Sequence, residues 1–382
     1  MATLESLTEI NSMIECAWEC TRQSRWKDST QRYLANLLLN SVRLRDEVRS
    51  GTYRVKPTKD FYLNERGHIR FIEAPDISDR HVQKGLMKQV LTPSLTPHLI
   101  YDNYASLKGR GTSFARKRFE VQLHQYIRKY GADGYLLLMD YSKYFENVLH
   151  EILKQLIAPH IACEPEDVVS LIHHMIDTAS HSDRGLNLGS ECPQIFAVFY
   201  PNPIDHFVKV VKGVKFYGRY MDDSFAIART KQELERLQEE IARQLALLGL
   251  TLNLKKTQIV KLTHGFTWLQ IKYKISRTGH VTKSMTRSKI VRERRRLKAL
   301  HRLYQQGLLT EDDVWQCYQS WRGSQIKDHN ACKRTIARMD ALYDSLFPPH
   351  QERQKPLRSA VVRSINRSAA PEELYYCLTV NL

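Results

Sequence analysis

Apolar residues recur every three to four positions across residues 1–50. That helical period places Trp18, Tyr33, Leu34, Leu37 and Leu38 on prospective core faces. Between 51 and 75 the period falls to two, and TYRVKPTKDFYLNERGHIRFIEAP reads as two strands joined at Asn64-Glu65-Arg66-Gly67. Helical spacing returns from Asp79 to Val90 and stops near Pro93 and Pro97. After the turn KGRG, a basic helix runs to Gly131. Tyr135 to Met139 is an unbroken apolar run, the mark of a strand buried on both faces, and it ends on Asp140. Helices are predicted at 148–158 and 166–178. A polar loop, SHSDRGLNLGSECPQ, then leads into one apolar helix, IFAVFYPNPIDHFVK. YGRYMDDSFAIA reads as a tight hairpin, 231–248 as a helix, and LTLNLKKTQIV and FTWLQIKYKI as strands. Beyond Thr282 the chain is basic and helical, and residues 348–382 read as a weakly structured basic tail. The expected class is α+β.

Charge narrows the functions. Lys and Arg number 58 against 41 Asp and Glu, a net charge of +17 on 382 residues. Such a surplus favours a polyanionic partner, nucleic acid ahead of anionic membrane. No window holds the roughly 18 consecutive apolar residues of a membrane span. The N-terminal MATLESLTEINSMIECAWEC lacks the basic and apolar regions of a secretion signal. Seven cysteines fit a reducing cytoplasm. None has zinc-ligand spacing, so all read as packing residues, and His173-His174 read as helix-face residues.

The acids carry the chemistry. Asp140 ends a buried strand, and Asp222-Asp223 sit at the turn of a predicted hairpin. Taken singly, each would read as a turn former or helix cap. Strand-end acids from two segments can instead converge at one sheet edge. Three such carboxylates call for a counter-charge, and the natural one is divalent metal. Two Mg²⁺ ions about 4 Å apart form the clamp for in-line nucleotidyl transfer.

Around these acids the sequence resembles the reverse transcriptases. Tyr220-Met221-Asp222-Asp223 looks like their catalytic motif, and LLLMDYSKYFENV resembles their first aspartate motif. RGHIRFIEAPDISDRHVQKGL is similar to the fingers segment, and LKGRGTSFA to the block after it. LGLTLNLKKTQIV resembles the palm block that follows the hairpin, and GFTWLQIKY the primer-grip hairpin, with Phe266, Trp268 and Leu269 as packing residues. The likeness covers roughly residues 50–345 and implies a right-hand polymerase fold. Its parts would be a helical extension at 1–50, fingers at 51–130, a palm with an antiparallel sheet at 131–275, a thumb at 276–347 and a tail at 348–382. Within the palm, 188–205 would form the loop and helix that contact template and nucleotide.

The resemblance implies roles residue by residue. Asp140, Asp222 and Asp223 would hold two Mg²⁺ ions, with Mn²⁺ a possible substitute, and Lys256 would protonate the pyrophosphate. Arg70, Tyr141, Phe145 and Gln194 would contact the incoming dNTP, Phe145 blocking a 2′-hydroxyl. Asp79-Arg80 would fix the fingers internally. Arg110 would approach a template strand, and Arg292, Arg294, Arg295 and Arg296 would track nucleic-acid phosphates. LNLGSECPQ departs from the retron and group II intron pattern at Leu188, where those enzymes carry glutamine. It lies closer to the diversity-generating retroelement enzymes, yet has Pro193-Gln194 in place of their Ser-Gln. That departure implies unusual fidelity. The expected partners are an RNA template (a structured non-coding RNA), dNTPs and the DNA product, with an accessory protein or a second copy of the chain as a further possibility and no membrane. The expected activity is RNA-directed DNA synthesis by a small bacterial-type enzyme in the cytoplasm, in antiphage defence, with a mutagenic retroelement role as the alternative. An RNA-dependent RNA polymerase is disfavoured by Phe145, and a silent RNA-binding scaffold by the three intact acids.

Overall fold

The computed structural model describes residues 3–65, 68–328 and 333–347; the expected basic tail lies outside them. The chain divides into two compact units, residues 1–262 and 263–382.

In the first unit the alternating segment forms a hairpin of β1 (Lys59–Glu65) and β2 (His68–Ala74), with Tyr62 opposite Phe71 and Leu63 opposite Arg70. The apolar run becomes β3 (Tyr135–Met139), the short strands around the aspartates become β4 (Tyr217–Tyr220) and β5 (Asp223–Ala228), and β6 (Gln258–Lys261) completes a sheet ordered β4-β5-β3-β6. All its pairings are antiparallel. Its second central strand, β3, explains the unbroken apolar sequence: Leu136 and Leu137 are wholly buried, and helices cover the sheet. The helix Lys231–Leu247 packs on it through Leu234, Leu237, Ile241 and Leu245, the i, i+3, i+4 stripe expected of an amphipathic helix. Its start is fixed by Thr230, whose hydroxyl accepts the Glu233 N–H at 3.2 Å.

Four expectations need correction. The residues read as one apolar helix split at Tyr200-Pro201 into Glu191–Phe199 and Asn202–His206, because proline cannot continue the ladder. In LTLNLKKTQIV only the last four residues form a strand, since Asn253 is drawn to Asp140 and the chain turns there. In the N-terminal helices Ile10–Cys20, Asp28–Ala35 and Leu37–Arg49, Trp18 and Leu38 lie exposed, while Met13, Ala17, Leu44 and Val48 supply the buried face. Cys163 is exposed as well, so the cysteines are not all packing residues.

The second unit holds a three-stranded antiparallel sheet, β7 (Phe266–Trp268), β8 (Ile271–Ile275) and β9 (Val281–Met285), and the helices Arg287–Gln305, Glu311–Asp328 and Lys333–Leu346. Phe266 and Trp268 are buried as expected. The helices close around Leu297, Leu300, Tyr318, Met339 and Tyr343. The mixture of helices with antiparallel sheets bears out the α+β class.

Glu293 sits inside this helical unit with Arg296 at 3.8 Å, and burial pushes its carboxyl up to about 7. The folded state therefore holds a proton that the unfolded chain releases near the ordinary Glu value. Stability of this unit should fall as pH rises from about 4.5 to about 7, where the unfolded state binds fewer protons. Glu293→Gln should flatten that slope in denaturant titrations at stepped pH; an unchanged slope would show that the carboxyl titrates normally.

Candidate active site

Sheet register assembles the acids. Met139 pairs with Ser224, so the next step along the same register sets Asp140 beside Asp223. Tyr220 pairs with Asp223, leaving Met221 and Asp222 as a two-residue turn. Met221 has φ of 55°, in the left-handed region where glycine is favoured, at a cost of about 1–2 kcal/mol for another residue. A buried ion pair holds this turn. Arg219, with no exposed surface, meets the equally buried Asp205 with Nε at 2.9 Å and Nη2 at 2.7 Å. Its remaining donors reach the carbonyls of Met221 at 3.0 Å and Val198 at 2.8 Å. Burial works against the Arg219 charge, but the Asp205 carboxylate more than offsets it and keeps the pKa above its ordinary value. The Tyr217 hydroxyl adds a bond to Asp205 at 2.8 Å. One strand back from the turn, Gly218 has the Tyr104 ring against it, where a Cβ would collide with the phenol.

Electrostatics at the turn oppose folding. Burial raises the Asp222 carboxyl, and Asp140 raises it further, while Lys256 and Arg70 pull it down. Burial, then Asp222 and Asp140, push Asp223 up to about 7. Lys256 is the local counter-charge: its ammonium lies 2.8 Å from Asp140 Oδ2, a bond that raises its own pKa. Asn253 donates to Asp140 Oδ1 at 3.0 Å, and its backbone N–H to the Asp140 carbonyl at 2.8 Å. Both oxygens of Asp140 are thus engaged, and among the described residues no three His, Cys, Asp or Glu side chains are gathered as a metal site. The donor chemistry still fits a hard divalent cation: all-oxygen carboxylates, two of them held above their ordinary pKa by burial and by neighbouring carboxylates.

The other predicted residues divide by position. Phe145 is half-buried in the short helical turn Phe145–Asn147, edge-on to Tyr144 at 5.6 Å. Tyr141 is buried, so its side chain serves packing. Arg70 lies exposed on β2, within electrostatic reach of Asp222. Gln194 is exposed in the first turn of the helix Glu191–Phe199, whose Glu191 meets Lys84 at 2.9 Å. Leu188 and Gly189 lead into it, and Gly189 has φ of 118° with its Cα facing the Glu73 carbonyl. Arg110 bonds the carbonyls of Tyr101 at 3.0 Å and Asn103 at 2.6 Å, fixing its own loop. Asp79 is buried, accepting from the Tyr53 hydroxyl at 2.7 Å and the Lys56 N–H at 3.1 Å, and Arg80 bonds the Cys20 carbonyl. Arg292, Arg294 and Arg295 are exposed on the helix Arg287–Gln305, but Arg296 turns inward to Glu293 and does not share their face.

Sequence reading missed Asn253, Arg219 and Asp205. Asn253 had a signal, three residues before Lys256 in the same block; the buried pair had none, since arginine and aspartate normally face solvent.

Among the described residues, no helix is long and apolar enough to cross a membrane. No curated protein matches the chain. Among solved structures it is similar to the apo telomerase of Candida tropicalis truncated from its C-terminal domain, at 14% identity and TM-score 0.47, covering 65% of this chain and 60% of that one. It is also similar to the telomerase of Candida albicans in complex with a TWJ fragment of telomeric RNA, at 11% identity and TM-score 0.46, covering 67% of this chain and 50% of that one. The chain therefore spans only half to three-fifths of these relatives' length. The sequence model of the family described as reverse transcriptase (RNA-dependent DNA polymerase) matches residues 56–273, more than half of the chain and both aspartate motifs. Reverse transcriptase domains generally use divalent metal ions. The chain belongs to the reverse transcriptase family of RNA-dependent DNA polymerases.

Proposed function

We propose that this chain is an RNA-directed DNA polymerase that adds dNTPs to a 3′-hydroxyl on an RNA template. The observation that carries the reading is the adjacency of Asp140 and Asp223 across the β3–β5 register, with Asp222 on the turn beside them. Fingers at 51–130, palm at 131–275 and thumb at 276–347 would serve this site.

Asp140, Asp222 and Asp223 would hold two Mg²⁺ ions, or Mn²⁺ in their place, which when bound lower the pKa of the 3′-hydroxyl and steady the leaving pyrophosphate. The chain's own side chains do the rest. Lys256 stays protonated beside Asp140, whose carboxylate raises its pKa and holds the proton back. It would therefore act as proton source for pyrophosphate only when that carboxylate is otherwise engaged. Arg70 on the exposed β2 offers planar donors to phosphate oxygens. Gln194 contacts the template–nucleotide pair, and Arg292, Arg294 and Arg295 bind phosphates of the duplex. Phe145 fills the space that a ribose 2′-hydroxyl would need.

A finer reading concerns role. The loop departs from the retron and group II intron pattern at Leu188 and from the closer retroelement pattern at Pro193-Gln194, and an enzyme with so divergent a template loop resembles the diverse antiviral-defence reverse transcriptases. These departures support a small bacterial-type enzyme that copies a dedicated non-coding RNA in the cytoplasm during antiphage defence. A variable/template repeat pair in the neighbouring DNA would assign it to a diversity-generating retroelement instead.

Extension of a primer on an RNA template tests the activity. dNTPs should be incorporated and rNTPs refused. Phe145→Val should admit rNTPs roughly 5- to 150-fold better, since relieving an overpacked contact is worth ~1–3 kcal/mol. Equal use of rNTPs by the unaltered enzyme, or extension on DNA templates alone, would overturn the reading.

A further inference from the structure

Trp18 and Trp26 lie on the helical layer that contributes none of the three aspartates, and they are 42% and 74% exposed. A free indole on a surface would be mobile. Here the Arg25 guanidinium stands 4.7 Å from the centre of the Trp18 ring and donates Nη2 to the Trp18 carbonyl at 3.3 Å. The Lys27 ammonium stands 5.4 Å from the Trp26 ring, whose Nε1 donates to the Gln23 carbonyl at 3.2 Å. Both indoles are therefore held in place by local bonds while much of their surface stays in solvent. The turn at 21–27 joins the two cation–indole pairs in the chain.

Basic residues outnumber acids around them. Arg22, Arg25, Lys27 and Arg32 are exposed between 22 and 32 against Asp28, and the two acids on the Trp18 helix, Glu15 and Glu19, are paired with Lys88, so cations remain in excess on a chain of net charge +17. Pre-positioned aromatic faces flanked by cations are what single-stranded nucleic acid requires, with bases stacking on the rings and phosphates meeting the cations. Resting on the reading of the chain as an enzyme that works on RNA, we propose that Trp18, Arg25, Trp26 and Lys27 form a stacking site for single-stranded RNA, separate from the polymerase centre. The exposed Leu38 and Leu39 on the helix Leu37–Arg49 make a protein partner the competing occupant. The charge balance favours the polyanion.

The full-length chain carries its own probe. Of its five tryptophans, Trp268 is buried and Trp315 and Trp321 are half-buried in the helical unit, so the share of the quench that belongs to Trp18 and Trp26 is read as the difference between the unaltered chain and the variant lacking both. Titration with oligo(rA) of about 20 nucleotides should quench this fluorescence. Trp18→Ala with Trp26→Ala should abolish most of the quench and weaken binding about tenfold or more. Arg25→Gln with Lys27→Gln should lower the salt slope of binding by about 1.4, at ~0.7 per phosphate released. Extension of a short primed template should be unaffected in both variants. Binding within twofold of the unaltered protein in the tryptophan variant would overturn the proposal. So would tighter binding of oligo(dA) than oligo(rA), or a change of oligomeric state in the variant with RNA affinity intact. Binding needs no turnover, so loss of this site and loss of the polymerase reading are told apart: the first leaves dNTP incorporation standing, the second leaves the quench.

Discussion

Asp222→Ala combined with Asp223→Ala should abolish dNTP incorporation and at the same time stabilise the cation-free protein. The two effects have one cause. Burial and mutual repulsion hold both carboxyls above their ordinary values, with Asp223 at about 7, so ionised side chains at this turn oppose folding. For an acid whose folded pKa is raised, stability declines as pH climbs from the unfolded value to the folded one, here between about 3.8 and 7. Alanines remove that term, and the thermal midpoint in chelator should rise at pH 7.5–8 relative to the unaltered chain, by roughly the few degrees that ~1 kcal/mol gives a domain of this size. Activity should move the other way, by at least about 10³-fold, equivalent to ~4 kcal/mol of lost transition-state stabilisation. Affinity for primed RNA template should be retained. Residual incorporation above a hundredth of the original rate would sink the role given to these acids. A fall in both stability and RNA affinity would show instead that the carboxylates hold the turn together.

Much of this site was visible in sequence because its signals are local. The apolar run from Tyr135 to Met139 reads as a doubly covered strand, and a strand of that kind delivers the residue after it, Asp140, to the sheet edge. The hairpin was equally readable, with two strand-like segments flanking Met221-Asp222. Long-range pairing was not. Asp205 belongs to a segment that reads as continuous apolar helix, and only the break at Pro201 carries it beneath β4, within reach of Arg219. The Arg296 error has a similar origin. A dense basic run reads as one solvated face, yet helical geometry sets Arg296 three residues from the buried Glu293 and turns it inward. Trp18 and Leu38 were expected inside on periodicity alone. Each helix there has more apolar surface than one buried stripe can use, and periodicity does not say which part stays wet.

The buried pair behind the aspartate turn should separate stability from positioning. Asp205→Asn leaves the Arg219 charge without a carboxylate in a site closed to water, and removing one partner of such a pair costs about 3–5 kcal/mol. Arg219→Met removes in addition the two donors that reach the Met221 and Val198 carbonyls. Met221 would then keep its left-handed φ without the bond that secures it, and the turn should relax and carry Asp222 out of place. The informative variant is the double one, Arg219→Met with Asp205→Leu. Replacing a buried ion pair by apolar side chains of similar size is often neutral for stability, so the denaturation midpoint should return most of the way. Turnover should not return with it, because the carbonyl of Met221 still lacks its donor. A low kcat with near-original KM for dNTP is therefore expected in a well-folded double variant, whereas Arg219→Lys, which retains a donor, should recover part of the rate. Full activity in the double variant would reduce the pair to a packing device and leave the geometry of the turn to the sheet alone.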